Sequence, residues 1–349
     1  MSTAALLASD LDRSASRRTG WLYAGLTILV LAALALNLAN GSLDIAWPEL
    51  TRLLLAGPGD DPRAMVVWDI RLPRALAALW GGACLAVSGL LLQVYFRNPI
   101  VGPFILGISS GASLMVALVM LTSFSLGLAA LSPYLVTLAA FAGSLGALLL
   151  VVGIARRMKQ GVVLLIIGLM IGYLTSAVTS LLVAFAEAER LKGFTLWTLG
   201  SFSGFRWQEL QMVMLLGGVL LVGVYGLSKP LNAFLLGEDY AQSMGVNVRA
   251  FRVLIILFSC ALAALVTATA GPVAFIGLAV PHMARLSLGT ADNRLLLPEA
   301  ALLGGLVALL CDLVARSLFA PVETPLSAVT SFLGAPVVIV LLLRRRSAL

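Results

Sequence analysis

The sequence predicts an all-α integral membrane protein that crosses a bilayer ten times. Three observations carry that expectation. Sixty per cent of the 349 residues are apolar and 11 % are charged, at a mean hydropathy of +1.04. Soluble domains carry about 25 % charge, and a globule this apolar lacks the polar groups to cover its surface. The apolar residues fall in runs of roughly 20, the length that spans the hydrocarbon. Finally, Lys and Arg divide unequally between alternate loops, as they do around membrane spans.

Taken in order, residues 1–20 form a mostly polar N-terminal tail ending Arg17-Arg18-Thr19-Gly20, and residues 21–346 a single transmembrane domain. Ser16-Arg17-Arg18 faintly matches a twin-arginine export signal. More spans follow and no Ala-x-Ala site closes the run, so the first helix reads as an uncleaved anchor. Trp21 to Asn40 is the first span and Leu72 to Phe96 the second. Asn98 to Ala155 contains no charge over 58 residues, too long for one span and right for two. Ser132-Pro133 supplies the break, since proline cannot continue a helix. Gly161 to Phe185 and Gln211 to Leu227 are the fifth and sixth. Val253 to Ala284 is one long tilted helix or two broken at Gly271-Pro272, and Leu295 to Leu318 and Leu326 to Leu343 follow.

Charge chooses ten spans over nine. With both termini inside, 15 of the 23 basic residues lie on the cytoplasmic side, in the two ends and the loops near Arg97, Arg156-Arg157-Lys159, Lys229 to Arg252 and Arg285 to Arg294. Nine spans would put Arg344-Arg345-Arg346 outside, against the positive-inside bias. The net charge of +7 therefore reads as topology. No stretch interleaves basic and aromatic residues as a nucleic-acid surface requires.

Several chemistries lack their residues. Cys84, Cys260 and Cys311 sit singly in apolar runs, which excludes a disulfide framework or a cysteine metal site by spacing. His282 is the sole histidine, so no two-histidine metal motif exists. Gly107-Ile108-Ser109-Ser110-Gly111 matches the G-x-S-x-G string, but the nucleophile elbow needs a strand-to-helix turn on a sheet. An intramembrane Ser109/His282 hydrolase is accordingly remote, and the small residues read as a close-packed or unwound helix start. Gly168 and Gly172 form a GxxxG pattern that lets helices approach closely, with internal packing favoured over dimerisation. Asp312 stands one turn before Arg316, an i,i+4 pair, and Glu299 lies near the cytoplasmic end of its span. Buried carboxylates that would serve an ion-coupled secondary transporter are almost missing from span centres, so that alternative lacks a relay. The driving force must come from a partner.

Three stretches are more specific. The first is Arg71-Leu72-Pro73-Arg74-Ala75-Leu76-Ala77 leading into Gly81-Gly82-Ala83-Cys84 and Gln93; the second is Arg97-Asn98-Pro99-Ile100 followed by Leu106-Gly107-Ile108-Ser109-Ser110-Gly111. The third runs from Leu236-Gly237-Glu238-Asp239 through Ala241-Gln242-Ser243-Met244-Gly245-Val246 to Ala270-Gly271-Pro272-Val273-Ala274-Phe275-Ile276-Gly277 and Val280-Pro281-His282. Together they resemble the FecCD-type permeases, the membrane subunits of ABC importers for iron-siderophores, haem and cobalamin, over about residues 21–346.

The resemblance implies a type II importer architecture in the bacterial inner membrane, with ten helices per subunit and both termini cytoplasmic. It further implies a homodimer with the pathway between subunits, two cytoplasmic ATPases, and a periplasmic or lipid-anchored binding protein. It also implies that this subunit is not an enzyme and holds no cofactor or metal, ATP and Mg belonging to the partner ATPase; the chain has no phosphate-binding loop motif. By motif position, Arg71, Arg74 and Arg316 are implied to dock the binding protein. The region of about residues 230–250, with Leu236, Gly237, Glu238, Asp239, Ala241, Gln242, Met244 and Gly245, is implied to be the coupling helix, with Ala241, Met244 and Val246 expected to seat in an ATPase groove. The inner gate is implied at Asn98, Ile100, Gln160, Gly161 and Val162. There the family's small hydroxyl residue is replaced, since this chain carries Gly161-Val162. The cargo implied is a bulky metal chelate, with iron-siderophore first and cobalamin and haem behind it.

Overall fold

The computed structural model describes residues 3–41, 43, 45–122, 133–157, 161–320 and 322–346. Among them there is no strand. The helices are α1 (Thr3–Ala39), α2 (Trp47–Ala56) and α3 (Pro62–Met65), the last passing through a π-helical turn (Val66–Arg71) into α4 (Leu72–Phe96). A 3-10 turn (Pro103–Leu106) precedes α5 (Ile108–Leu121), followed by α6 (Pro133–Ala155), α7 (Gly161–Ala184), α8 (Ala188–Thr198) and α9 (Trp207–Gly226). The chain ends with α10 (Ser228–Leu235), α11 (Glu238–Ser243), α12 (Val248–Ala270), α13 (Ile276–Leu288), α14 (Asn293–Ser317) and α15 (Leu326–Arg346). Among the described residues, seven helices are long and apolar enough to cross a membrane: α1, the α3–α4 unit, α6, α7, α9, α12 and α14; α5 and most of α15 are shorter apolar helices.

The tail expected over residues 1–20 is helical from Thr3 and continuous with the first span. The break expected at Ser132-Pro133 lies only half in view: α6 begins at Pro133, and Ser132 is outside the described residues.

Helix α4 is central. It packs against α14, α12, α13, α9 and α1, and 83 % of its span is buried, against 17 % for α7. Its sequence explains this, because Leu-Pro-Arg-Ala-Leu-Ala-Ala-Leu-Trp-Gly-Gly-Ala-Cys is, apart from Arg74, small or apolar on every face. In lipid the hydrophobic effect does not drive helices together, so close van der Waals contact between small residues must. A methyl group on Gly82 would run into the Gly304 carbonyl of α14, and one on Gly89 into the Gly277 carbonyl of α13. Backbones touch there because neither partner has a side chain. The α4–α12 seam carries a polar pair instead: Ser88 Oγ donates to the Ser259 carbonyl at 2.7 Å and Ser259 Oγ to the Ser88 carbonyl at 2.8 Å. An unsatisfied group in hydrocarbon costs several kcal/mol, and this exchange leaves both hydroxyls satisfied.

The break at Gly271-Pro272 is present. Gly271 takes φ +72°, and α12 ends there. The Ala270 carbonyl accepts from the Ser201 amide at 2.8 Å and the Pro272 carbonyl from Ser327 Oγ at 2.7 Å. Irregular backbone is tolerated at membrane depth only where protein satisfies it in this way. The 13 residues of α13 span about 20 Å, short of a full crossing. A second irregular stretch, residues 97–107, lies beside it: a Cβ on Gly277 would come 2.8 Å from Pro103, and Gln93 Nε2 donates to the Leu278 carbonyl at 3.0 Å. The GxxxG pair packs internally. Gly168 rests on Leu106 and Gly172 on Ser110, seating α7 against the 3-10 turn and α5.

Candidate functional site: two ends of the bundle

At the end where α4 begins, the three sequence-selected arginines form one network. Arg74 donates from Nε and Nη2 to the Asp312 carboxylate of α14 at 3.0–3.1 Å, and from Nη1 to Glu323 at 2.7 Å. Arg316 donates from Nη2 to the Asn37 carbonyl at 2.6 Å and to its Oδ1 at 2.8 Å. Arg71 caps α1 by donating to the carbonyls of Leu38 at 2.7 Å and Ala39 at 2.9 Å, and to that of Leu43. Helix C-termini leave carbonyls unpaired, and a guanidinium supplies charge-assisted donors to them.

Arg71 is 4 % and Arg74 8 % exposed, so these groups are turned inward. The expected i,i+4 pair of Asp312 with Arg316 is present at 3.9 Å, and Arg74, which the sequence did not single out for it, is the closer partner of Asp312 at 3.0 Å. The carboxylate of Glu323 is the exposed member of the network.

At the opposite end, α10 and α11 form a hook between α9 and α12. Gly237 takes φ +130° and Gly245 φ +84°, the two positive-φ turns that bracket α11. Glu238 pairs with Arg252 of α12, with Arg252 Nε at 3.1 Å from Oε1. Asp239 and Gln242 are exposed. Ala241 is fully buried and Val246 partly so, because the Val246 amide returns to the Ala241 carbonyl at 3.0 Å. Ala241 therefore cannot seat in a partner's groove, and of the expected trio only Met244 projects. The outward apolar residues are Leu236, Tyr240 and Met244, 70 %, 46 % and 64 % exposed. Tyr240 and its C-cap neighbour Met244, four apart, fall on one face of α11, whereas Leu236 lies before the Gly237 turn, outside that helix.

The hook is tied to the loop after α4. Arg97, in the left-handed region at φ 48°, donates to the Phe234 carbonyl of α10 at 3.4 Å and lies over the Phe234 ring. That ring stacks on Tyr95 of α4 and meets Phe251 of α12 edge-on. The next residues are Asn98, whose Oδ1 accepts from the Ile100 amide at 3.0 Å, and Pro99, whose carbonyl meets His282 Nε2 at 3.0 Å. Ile100 and, at the start of α7, Val162 are exposed; Gly161 opens α7, and Gln160 lies outside the described residues. Helix α7 packs on the 3-10 turn that follows Ile100, so the two segments expected at the gate belong to neighbouring elements.

Among the described residues, buried carboxylates do not line a route. Asp312 belongs to the arginine network, and Glu299 accepts from Ser287 Oγ at 2.9 Å. Twelve residues of α14 lie between them, a separation of about 20 Å along the axis.

The described residues thus form a bundle of apolar helices with a charged network at one end and an exposed apolar hook at the other. The FecCD transport family matches residues 28–344, and the chain belongs to that family. The hemin transport system permease protein HmuU of Yersinia pestis is 38 % identical over 330 residues, covering 93 % of this chain and 96 % of HmuU. The vitamin B12 import system permease protein BtuC of Salmonella paratyphi A is 38 % identical over 332 residues, covering 94 % and 96 %. A solved metal-chelate type ABC transporter in an inward-facing conformation superposes with a TM-score of 0.81 at 33 % identity, covering 93 % of this chain and 99 % of that one.

Proposed function

We propose that this chain is the permease subunit of a binding-protein-dependent ABC importer in a bacterial inner membrane, moving a bulky metal chelate into the cytoplasm. Ten spans follow if α5, α13 and α15 complete the crossings begun by the seven long helices, with both termini and the α10–α11 hook inside. The subunit pairs with a second copy. Helix α7 suits the pathway, since it is the least covered long helix and carries Ser176 and Ser180 outward beside Tyr173 and Leu174. Nucleotide is hydrolysed in two partner ATPases, and a periplasmic or lipid-anchored binding protein delivers cargo at the arginine end. The names of the relatives favour haem, cobalamin or another metal chelate, with iron-siderophores in the same class.

The hook carries the reading. A subunit without a phosphate loop needs a rigid handle for an external engine, and Leu236, Tyr240 and Met244 offer a compact apolar ridge for a groove. Arg97 and the Phe234 cluster tie that handle to the loop at Asn98 and Ile100. Partners then act by stabilising one arrangement over another. At the other end, Arg71, Arg74 and Arg316 set the shape of the docking rim and Glu323 its exposed charge. Vesicles containing the chain, its ATPase and its binding protein should take up a chelate from a panel of siderophores, haem and cobalamin only with ATP inside. Uptake by the chain alone, driven by a proton or sodium gradient, would refute the proposal.

A further inference from the structure

Beside the hook, at the ends of α6 and α12, lies an open basin of about 540 Å³. Arg156, Arg157, Arg249 and Arg252 line it, against the single carboxylate of Glu238. Among the described residues, Arg252 alone of the four has an acidic partner, and Glu238 is that partner. Arg156, Arg157 and Arg249 are exposed. The first turn of α12 opens here behind its N-cap Asn247, adding the positive end of a 23-residue helix.

The basin does not stand alone. Arg156, Asn247 and Arg249 also line an adjoining groove of about 580 Å³ whose far wall is Ala250, Val253 and Leu254. Leu254 lies about 7 Å further along the helix than Arg249, within the apolar span of α12. A positive basin at a span's end that opens into an apolar furrow running toward the bilayer centre matches an amphiphile. Guanidinium forks match phosphate oxygens, and basic pockets at the cytoplasmic ends of spans recruit anionic headgroups. A free phosphate would leave the furrow unused.

We propose that this basin and furrow bind an anionic phospholipid of the cytoplasmic leaflet, phosphate among Arg156, Arg157 and Arg249 and an acyl chain along Val253 and Leu254. The leaflet rests on the orientation proposed above; the binding chemistry does not. Because Glu238 and Gln242 of the hook share the basin wall, the bound lipid is a neighbour of the coupling segment.

The test uses the full chain in neutral detergent, with native mass spectrometry scoring retained phosphatidylglycerol against phosphatidylcholine of the same acyl chains. The wild type should prefer phosphatidylglycerol. Arg156→Gln/Arg249→Gln should weaken that lipid by about 30-fold, the effect of two basic residues near an anionic surface, and Arg249→Gln alone by about fivefold. Arg52→Gln, exposed at the far end, should change nothing, and thermal midpoints in the same detergent confirm folding. An unaltered preference in both variants overturns the proposal. Displacement of the lipid by equal glycerol phosphate overturns it in favour of a soluble phosphate. Intact preference with lost ATPase assembly overturns it in favour of a protein interface. Failure of ATP-driven uptake would sink the importer reading and leave these lipid measurements standing.

Discussion

The guanidinium carbon of Arg97 stands 5.7 Å from the centre of the Phe234 ring, so the residue that ends α4 rests on the helix that begins the hook. Such a contact contributes about 0.5–2 kcal/mol, too little to hold the fold and enough to bias two arrangements of a loop. Its position, one residue before Asn98, ties the hook to the proposed gate. Arg97→Gln should leave the thermal midpoint within about 2 °C and ATP hydrolysis in the assembled transporter intact, while lowering chelate uptake per ATP severalfold. Unchanged coupling would show that force travels by another route.

Asp312 should be the most sensitive charge in the chain. Its removal leaves Arg74 and Arg316 buried without that carboxylate, and breaking a buried ion pair costs about 3–5 kcal/mol. Asp312→Ala is expected to lower the detergent thermal midpoint sharply, whereas Arg74→Met/Asp312→Leu should recover much of the loss. A double-mutant cycle with no coupling between the two positions would contradict the network.

The helix crossings make a second stability test. Gly82→Leu must push α14 off α4 and should destabilise by at least about 1–3 kcal/mol. Gly146→Ala, with open space around its Cβ, should be neutral or slightly stabilising. Equal midpoints for the two variants would mean that the backbones do not touch at Gly82.

Tyr240→Ser and Met244→Ser should abolish co-purification with the ATPase while leaving the fold intact, since both side chains are exposed. Interface anchors of this kind cost upwards of about 2 kcal/mol when truncated, or roughly 30-fold in affinity. Ala241→Ser should instead act through stability, because that methyl is buried. Arg316→Glu is expected to weaken binding-protein-stimulated uptake and to lower the midpoint together, because its guanidinium also holds Asn37.

Thiol labelling can follow the gate without removing native cysteines, as Cys84, Cys260 and Cys311 are all buried. Ile100→Cys and Val162→Cys should react with a soluble maleimide at rates that change severalfold between nucleotide-free and nucleotide-bound transporter. Constant rates at both positions would remove them from the gate.

Seven of the ten expected spans stand out among the described residues as long apolar helices, because membrane helices declare themselves by length and apolarity, which are local properties. The Gly271 break was legible for the same kind of reason: glycine and proline punctuate helices wherever they stand. The Arg74–Asp312 pair was not, since 238 residues separate its members and the nearer Arg316 offered a plausible local partner. The arginines were correctly placed at one end of the bundle, but which way a guanidinium turns depends on carbonyls at the end of a different helix. The hook's outward face was readable only in part, from the i,i+4 spacing of Tyr240 and Met244; that Leu236 joins it depends on the Gly237 turn. The burial of Ala241 was not, because it follows from the return of Val246 over it.

The bare crossings at Gly82 and Gly89 weld α4, α13 and α14 into a casting with no slack in its joints. A conduit for cargoes of differing girth cannot widen by bowing such a block. It must part along a looser margin, and α7, leaning on little of its own chain, is where that margin runs. In the proposed homodimer, whatever sets the width of the bore would then be shared between two copies of this polypeptide and written fully in neither.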